Sequence, residues 1–141
     1  MAVSVQQIST LEDLEQCFKI RHLVFVIGQK VPVDEEVDGK DELCDHYLLY
    51  VDDTAVATAR VSYINQYAKI ERVAVLESFQ GQGLGMHLMQ HILSELKTMP
   101  DIKKARLGAQ IQAIAFYEKL GFSVCSDEYL DAGISHKDMV Y

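Results

Sequence analysis

The sequence predicts a mixed α/β fold, in which helices pack against one mostly antiparallel sheet. Three β-rich segments follow one another with short polar turns between them, which is typical of an antiparallel meander. The later β segments alternate with helical segments, and such crossovers allow neighbouring strands to run parallel. The chain has 141 residues, of which 49% are hydrophobic and 24% charged. This size and composition fit one domain, residues 1–141, with its own hydrophobic core.

The first third of the sequence predicts a strand, a long helix and an irregular segment. Ala2–Ile8 is β-rich and forms the first strand. An N-cap signal and apolar residues at helical spacing predict a helix from Thr10 to about Ile27, broken near Arg21. Residues 28–46 are irregular and acidic. The meander follows, with strands at Tyr47–Val51, Ala55–Tyr63 and Lys69–Val75.

The last part of the sequence predicts two helices alternating with strands. A helix follows the meander because apolar residues recur there at helical period, namely Leu84, Leu88, Met89, Ile92 and Leu96. Lys104–Gly108 is then a short strand and Gln112–Leu120 a second amphipathic helix. Phe122–Ser126 and His136–Tyr141 are terminal strands separated by a polar loop. The prediction is therefore a sheet of seven strands.

Charge and cysteine content exclude several classes of function. The net charge of −8 argues against a nucleic-acid partner, because phosphate contacts need clustered Lys and Arg. The apolar runs are too short for a membrane span, and the start of the chain lacks the pattern of a signal peptide. Cys17, Cys44 and Cys125 are odd in number and widely spaced. A disulfide framework is therefore not expected, and the cytoplasm is the expected compartment.

The sharpest local feature is a glycine-rich loop between a predicted strand and a predicted helix. Gly81, Gly83 and Gly85 alternate with other residues, so the backbone is free to approach a ligand closely. The free N–H groups of the following helix make such a loop an anion site. The spacing matches neither a P-loop nor a dinucleotide-binding loop, since the first lacks its Lys-Ser/Thr and Met86 stands at the last glycine position of the second. A plain strand-to-helix turn is the alternative interpretation.

Two motifs in the second half of the chain resemble a known family. Gln80-x-x-Gly83-x-Gly85 matches the Gln/Arg-x-x-Gly-x-Gly/Ala signature of GNAT acetyltransferases. The segment from Ala115 to Phe122 is similar to that family's conserved A-x-x-F-Y-x-x-x-G-F block. More loosely, Arg21–Gln29 and Asp38-Gly39 resemble the ElaA-like branch. The resemblance implies a mostly antiparallel sheet of about seven strands with about four helices, and a V-shaped splay between two parallel strands.

The resemblance also implies acetyl-CoA as a cosubstrate and no metal. The cosubstrate would lie between the strands Lys69–Val75 and Lys104–Gly108. The backbone of Val73 and Val75 would bind the acetyl carbonyl and the pantetheine arm, and the loop amides would bind the pyrophosphate. The implied cofactor-binding residues are Val73, Val75, Gln80, Gly81, Gln82, Gly83, Leu84, Gly85 and Met86.

Two catalytic residues follow from the same resemblance. Tyr117 matches the family tyrosine that protonates the departing CoA thiolate, and a phenol is a suitable acid for a thiolate. Its alternative role is packing among neighbouring aromatic side chains. Glu71 is the candidate base that removes a proton from the acceptor ammonium, and strand alternation predicts that it shares a face with Val73 and Val75. A solvated carboxylate paired with a neighbouring cation is the alternative, and His136 is a weaker candidate base.

The resemblance thus implies an N-acetyltransferase that moves an acetyl group directly from acetyl-CoA to a primary amine. The acceptor is a small-molecule or protein amine, and neither nucleic acid nor membrane is an expected partner. The family habit allows a homodimer through the terminal strands. The alternative function is a non-catalytic acyl-CoA-binding or sensor module on the same fold.

Three other constellations are weaker than these motifs. The acidic run Asp34-x-Glu36-x-Asp38-Gly39 superficially resembles a calcium loop, but it carries the wrong ligands at several positions. It is interpreted either as an acidic rim near the acceptor or as a solvated loop. Cys44-x-His46 and the helical pair His87/His91 lack the third group that thiol catalysis or a metal site requires.

Overall fold

The computed structural model describes residues 1–141, which form one eight-stranded sheet with helices on both faces. The strands are β1 Val3–Gln7, β2 Asp45–Val51, β3 Thr54–Ile64, β4 Tyr67–Val75, β5 Lys104–Gln110, β6 Ser123–Val124, β7 Tyr129–Asp131 and β8 Ile134–Val140. The α-helices are α1 Leu11–Arg21, α2 Val33–Glu36, α3 Leu84–Leu96 and α4 Ile114–Lys119. No helix is both long enough and apolar enough to cross a membrane.

The sheet is mostly antiparallel, as the sequence predicts. The strand order is β1-β2-β3-β4-β5-β8-β6, and β7 pairs with β8 off this path. Only β4 and β5 are parallel, and their register covers three residue pairs, from Tyr67↔Lys104 to Lys69↔Arg106. Both strands continue well beyond that register. They therefore diverge, which confirms the expected V-shaped splay.

Two apolar clusters lie on opposite faces of the sheet. The α3 face carries the larger cluster, in which Leu88, Met89 and Ile92 of α3 pack on sheet residues such as Val61 and Ile70. The α1 face carries a smaller cluster built from Cys17 and Ile20 of α1 with Leu48 and Ala74 of the sheet. Burial of these side chains supplies the main free energy of folding.

The long helix predicted near the start of the chain changes its winding where the sequence predicts a break. Thr10 is the N-cap of α1, and its hydroxyl accepts a hydrogen bond from the Asp13 amide at 3.1 Å. After Arg21 the chain continues as a π-helix, His22–Gly28. A π-helix is rare and often marks a functional site. Here it turns Val24 and Phe25 toward the cleft described below.

The predicted polar loop near the end of the chain contains a strand. β7 forms a short hairpin with β8, in which Tyr129 lies opposite His136 and Asp131 opposite Ile134. The turn between them holds Ala132 and Gly133 at positive φ. Three residues are too few to show an alternating pattern, so the sequence did not reveal this strand. The hairpin forms one wall of the cleft.

Candidate functional site

A cleft of about 990 Å³ opens where β4 and β5 diverge. One end is lined by the glycine loop, α3 and α4, and the other by the π-helix, α2 and the β7–β8 hairpin. Its volume lies in the range of sites that enclose organic ligands. The sheet geometry therefore creates the cavity, and residues from both faces of the sheet line it.

The glycine loop presents its backbone to one end of this cleft. Gly81 and Gly83 have φ values of +77° and +78°, a left-handed conformation that costs other residues about 1–2 kcal/mol. A Cβ at either position would meet no atom within 4 Å. Gly83 is the N-cap of α3, so the first amides of that helix have no partner within it. Glycine backbone, free amides and the helix dipole together form an anion cradle.

The neighbouring loop residues hold this cradle in place. The Gln80 side chain donates from Nε2 to the Val75 carbonyl at 2.9 Å, which ties the loop back to the end of β4. Leu84 is buried in the core of the α3 face. A Cβ at Gly85 would lie 3.4 Å from the Phe116 ring, so this glycine allows α3 and α4 to approach closely. The cradle residues thus offer a ligand mainly backbone groups.

At the end of β4, the backbone groups of Val73 and Val75 point into the splay between β4 and β5. The Leu76 amide donates to the Val56 carbonyl of β3 at 2.9 Å. Backbone groups alternate in direction along an antiparallel strand, so Val75 and Val73 face away from β3 and toward the splay. The Val75 carbonyl already accepts a hydrogen bond from the Gln80 side chain. The outward amides of both valines can bind a substrate carbonyl or amide.

A β-bulge at Arg72 reverses the side-chain alternation of β4. Thr58 pairs with Ala74, whereas Arg60, two residues further along β3, pairs with Glu71, so β4 contains one extra residue. Arg72 has φ of 56°. Val73 and Val75 pack on the α3 face, while Glu71 shares the α1 face with Arg60. The predicted common face for Glu71 and the two valines is therefore wrong, because alternation holds only in an unbulged strand.

Glu71 lies on the α1-face side of the cleft among three cations. Its carboxylate is 3.5 Å from Arg60, 3.8 Å from Lys69 and 4.0 Å from Arg72. The side chain is 22% exposed and lines the cleft. A carboxylate in this position is reachable from the cavity while its charge is balanced by fixed neighbours.

The acidic run of residues 34–41 is bound to buried arginines. Arg21 donates to Glu36 at 2.5 Å and to Asp41 at 2.6 Å, and these three side chains are almost fully buried. Arg60, also buried, binds Asp41 at 3.0 Å and Asp38 at 2.6 Å. Glu36, Asp38 and Asp41 are therefore anchored in place, and neither a wholly solvated loop nor a free acidic rim describes them.

This buried network shifts the pKa values of its carboxyl groups. Hydrogen bonds from Arg60 hold the pKa of Asp38 well below its ordinary value. Burial alone would raise the pKa of Asp41, but hydrogen bonds and charge from Arg21 and Arg60 outweigh it, so its pKa is also lowered. The sequence contained one signal for the network. Arg60 stands inside an apolar β segment, where a buried charge requires a partner.

Tyr117 lies on α4, at the cradle end of the cleft. Its ring packs edge-on against Phe116 and Phe122, with centroid distances of 5.0 and 5.9 Å. The residue is 9% exposed and lines the cleft, and its hydroxyl has no hydrogen-bond partner within the protein. Burial raises the pKa of Tyr117 to about 12. The phenol is therefore protonated at neutral pH and available as a donor.

The β7–β8 hairpin adds three polar residues that the sequence mostly missed. The Tyr129 hydroxyl donates to Asp138 Oδ1 at 2.5 Å, and its ring stacks on His136 at 5.9 Å between centroids. His136 Nδ1 lies 2.6 Å from the Ile134 carbonyl. A carbonyl only accepts, so Nδ1 carries the proton and a neutral ring keeps its lone pair on Nε2. All three residues line the cleft.

The weaker constellations are not brought together by the fold. Cys44 Sγ points to the Lys40 carbonyl at 3.3 Å, whereas His46 Nε2 lies 2.8 Å from the Asp41 carbonyl. His91 pairs with Glu95 at 3.0 Å. No group of three or more His, Cys, Asp or Glu side chains is arranged to hold a metal ion.

Comparison with known proteins agrees with this geometry. The family model for the acetyltransferase (GNAT) domain matches residues 32–141. The uncharacterized N-acetyltransferase YjcF of Bacillus subtilis (strain 168) is 36% identical over 130 residues, 92% of each protein. ElaA of Escherichia coli (strain K12) is 31% identical over 135 residues, 92% of this chain and 88% of ElaA.

Solved structures of related proteins share the fold of this chain. The crystal structure of Escherichia coli ElaA matches 99% of both chains with a TM-score of 0.87 and 28% identity. An acyl-CoA N-acyltransferase from Pseudomonas aeruginosa matches 99% of this chain and 97% of its own, with a TM-score of 0.86 and 29% identity. Family model, relatives and fold agree, and the chain belongs to the GNAT acetyltransferase family, in its ElaA-like branch.

Proposed function

We propose that this protein is an N-acetyltransferase that moves an acetyl group from acetyl-CoA directly to a primary amine. One observation carries the proposal: the splay between β4 and β5 leads, within one cleft, to a glycine cradle with free helix amides. An extended thioester with a pyrophosphate at its far end fits such a cleft. The chain acts in this proposal as a single acyl-CoA N-acyltransferase domain.

The cosubstrate is held mainly by backbone groups. The amides of residues 82–86 bind the pyrophosphate at the N-terminus of α3, where the helix dipole favours negative charge. The outward amides of Val73 and Val75 bind the acetyl carbonyl and the pantetheine arm. A donor on that carbonyl stabilises the negative charge that develops on its oxygen during attack. Gln80 contributes by tying the loop to β4.

Transfer from an acceptor ammonium requires two protons to leave the nitrogen and one to reach the thiolate. Glu71, on the α1-face side of the cleft, accepts the proton of the acceptor ammonium through a water molecule. The freed amine attacks the thioester carbonyl, the carbon–sulfur bond breaks, and the electron pair leaves on sulfur. Tyr117 donates its hydroxyl proton to that sulfur. The second proton of the attacking nitrogen leaves through water, which yields the neutral amide and returns a proton to the Tyr117 phenolate. The bulge at Arg72 fits this division, because it leaves the Glu71 carboxylate on the α1 face while the Val73 and Val75 amides point into the splay.

The proposed location and partners follow from the same features. All three cysteines are free, which suits a reducing compartment such as the cytoplasm. The acceptor is a small-molecule or protein amine, with no role for nucleic acid or membrane. A homodimer through the terminal strands is compatible with the fold.

Release of CoA thiol from acetyl-CoA tests the proposal. The purified protein is incubated with acetyl-CoA and a panel of amines, and free thiol is measured alongside mass spectrometry of the amine. Amine-dependent thiol release with an acetylated product supports the transferase. Tight acetyl-CoA binding without transfer to any amine would indicate an acyl-CoA-binding module, and no binding would contradict both functions.

A further inference from the structure

One of the carboxylates that are at least half-buried in the cleft has no cationic partner. Three carboxylates that line the cleft are buried or half-buried, namely Glu36, Glu71 and Asp138. Glu36 and Glu71 form ion pairs with arginines, but no Lys, Arg or His lies within 4 Å of Asp138. A half-buried carboxylate that lines a cleft and forms no ion pair within the protein is open to a cationic ligand. Asp138 is therefore a candidate ligand contact.

The surroundings of Asp138 hold it in a defined position. The Tyr129 hydroxyl donates to one carboxylate oxygen at 2.5 Å and leaves the other without a hydrogen bond from the protein. Both groups lie over Gly108 of β5, where a Cβ would be 2.5 Å from the hydroxyl and 3.6 Å from Asp138 Oδ1. Glycine at this position thus makes room for the pair.

On the same wall of the cleft, one ring nitrogen of His136 has no hydrogen-bond partner. His136 is 9% exposed, lines the cleft and stacks on Tyr129. Its Nδ1 is engaged by the Ile134 carbonyl, and no hydrogen bond within the protein involves Nε2. A nearly buried imidazole with one free nitrogen facing a cavity is suited to contact a ligand. His136 and Asp138 are two residues apart on β8 and share its α1-face side.

The register of the sheet places Asp138 across the splay from Glu71. Lys69 pairs with Arg106, so two residues further on Glu71 is level with Gly108, which itself pairs with Asp138. β4 and β8 are two strand spacings apart, about 10 Å, and the splay between β4 and β5 adds to the distance between the two carboxylates. One lies beside the proposed reacting amine and the other faces it.

The cations that line this half of the cleft are already engaged. Lys69 is 3.8 Å from Glu71, and Arg72 pairs with Glu36 and Asp38 at 3.5 and 3.4 Å. The Arg106 guanidinium lies over the Tyr67 ring at 5.5 Å and contacts Cys125 Sγ at 3.6 Å. The charge of Arg106 also acts on Asp138 from a distance, but none of these cations forms an ion pair with Asp138. The overall charge of −8 also favours the approach of cations.

We propose that Asp138, positioned by Tyr129, binds a second cationic nitrogen of the acceptor. The acceptor is then a dication, such as an aliphatic diamine, whose reacting amine lies beside Glu71 and whose other ammonium contacts Asp138. This inference rests on the proposed function for the identity of the reacting amine. It makes Asp138 the residue that selects dications over monoamines.

Binding calorimetry tests this inference independently of turnover. Putrescine and n-butylamine share a carbon chain and differ in the second ammonium, so each is titrated into the wild-type protein with and without CoA. The Kd for putrescine should be at least about tenfold lower, because a charge-assisted hydrogen bond is lost in the monoamine. Asp138→Asn should bring the two Kd values within about twofold of each other, since asparagine still accepts from Tyr129 but lacks the charge. Glu128→Gln, an exposed residue of the same segment outside the cleft wall, should keep the preference.

The outcomes separate the two proposals. Equal affinity of the wild type for the diamine and the monoamine would overturn the inference, as would a preference that survives in Asp138→Asn. Selective diamine binding without thiol release from acetyl-CoA would leave the inference standing and contradict the transferase. Thiol release that is equally efficient with both amines, with equal Kd values, would leave the transferase standing and contradict the role of Asp138.

Discussion

Replacement of Asp41 by asparagine tests whether the buried ion network holds the acidic segment on the sheet. Asp41 is 8% exposed and binds Arg21 at 2.6 Å and Arg60 at 3.0 Å. Asparagine keeps the shape but removes the charge, so two buried guanidinium groups each lose one anionic partner. Removal of one partner from a buried ion pair costs about 3–5 kcal/mol. Glu36 and Asp38 still bind the two arginines, so we expect about 3 kcal/mol.

Thermal unfolding followed by circular dichroism measures this loss. For a chain of this length, 3 kcal/mol corresponds to a Tm lowered by about 10 °C. Asp34→Asn is the matched control, since Asp34 lies in the same acidic run, is exposed and forms no ion pair. It should change the free energy of unfolding by less than about 0.5 kcal/mol. If Asp41→Asn lowered Tm no more than Asp34→Asn, the network would not stabilise the fold.

Three further predictions concern catalysis and pH. Tyr117→Phe should lower kcat by about 10²-fold or more and leave the Kd of acetyl-CoA nearly unchanged, because it removes only the acid. An unchanged kcat would assign Tyr117 to packing alone. Glu71→Gln should lower kcat/KM by about 10²-fold or more at neutral pH. Glu35→Gln is the control, because Glu35 is an exposed residue of the cleft rim. Equal activity of the two variants would exclude Glu71 as the base. The lowered pKa values of Asp38 and Asp41 mean that the unfolded chain binds more protons than the folded one, so stability is present above about pH 4 and decreases as pH falls below it. Urea unfolding at several pH values should show this decrease in the wild type and a smaller one in Asp41→Asn, and equal slopes for both would contradict the pKa assignment.

The sequence predicted the features that depend on local pattern. The meander and α3 follow from periodicity and turn residues, and the glycine loop from its unusual spacing, whereas the parallel strand pair was implied by the resemblance to the GNAT family. The break near Arg21 was also predicted, although not its π-helical form. These features are readable because they depend on neighbouring residues along the chain.

The features that the sequence did not reveal depend on tertiary contacts. The bulge at Arg72 has no local signal, since a non-glycine residue occupies the left-handed conformation there, and it reversed the predicted face of Glu71. The partners of Arg60 come from a segment about 20 residues away in sequence. Asp138 gains its position from Tyr129 and Gly108, which lie on two other strands. A single sequence does not place such groups together.

Calorimetric titration of acetyl-CoA tests whether the glycine cradle at α3 binds the cosubstrate pyrophosphate. The wild type is compared with Gly83→Val and with Gly133→Val. The two glycines share a positive φ, +78° and +76°, and no atom lies within 4 Å of a Cβ at either position, so the backbone strain is matched, but Gly133 lies in the β7–β8 turn. We predict binding by the wild type, a Kd raised at least about tenfold in Gly83→Val, and a nearly unchanged Kd in Gly133→Val. Absence of binding by the wild type, or equal Kd values in all three proteins, would show that the cradle does not bind the pyrophosphate.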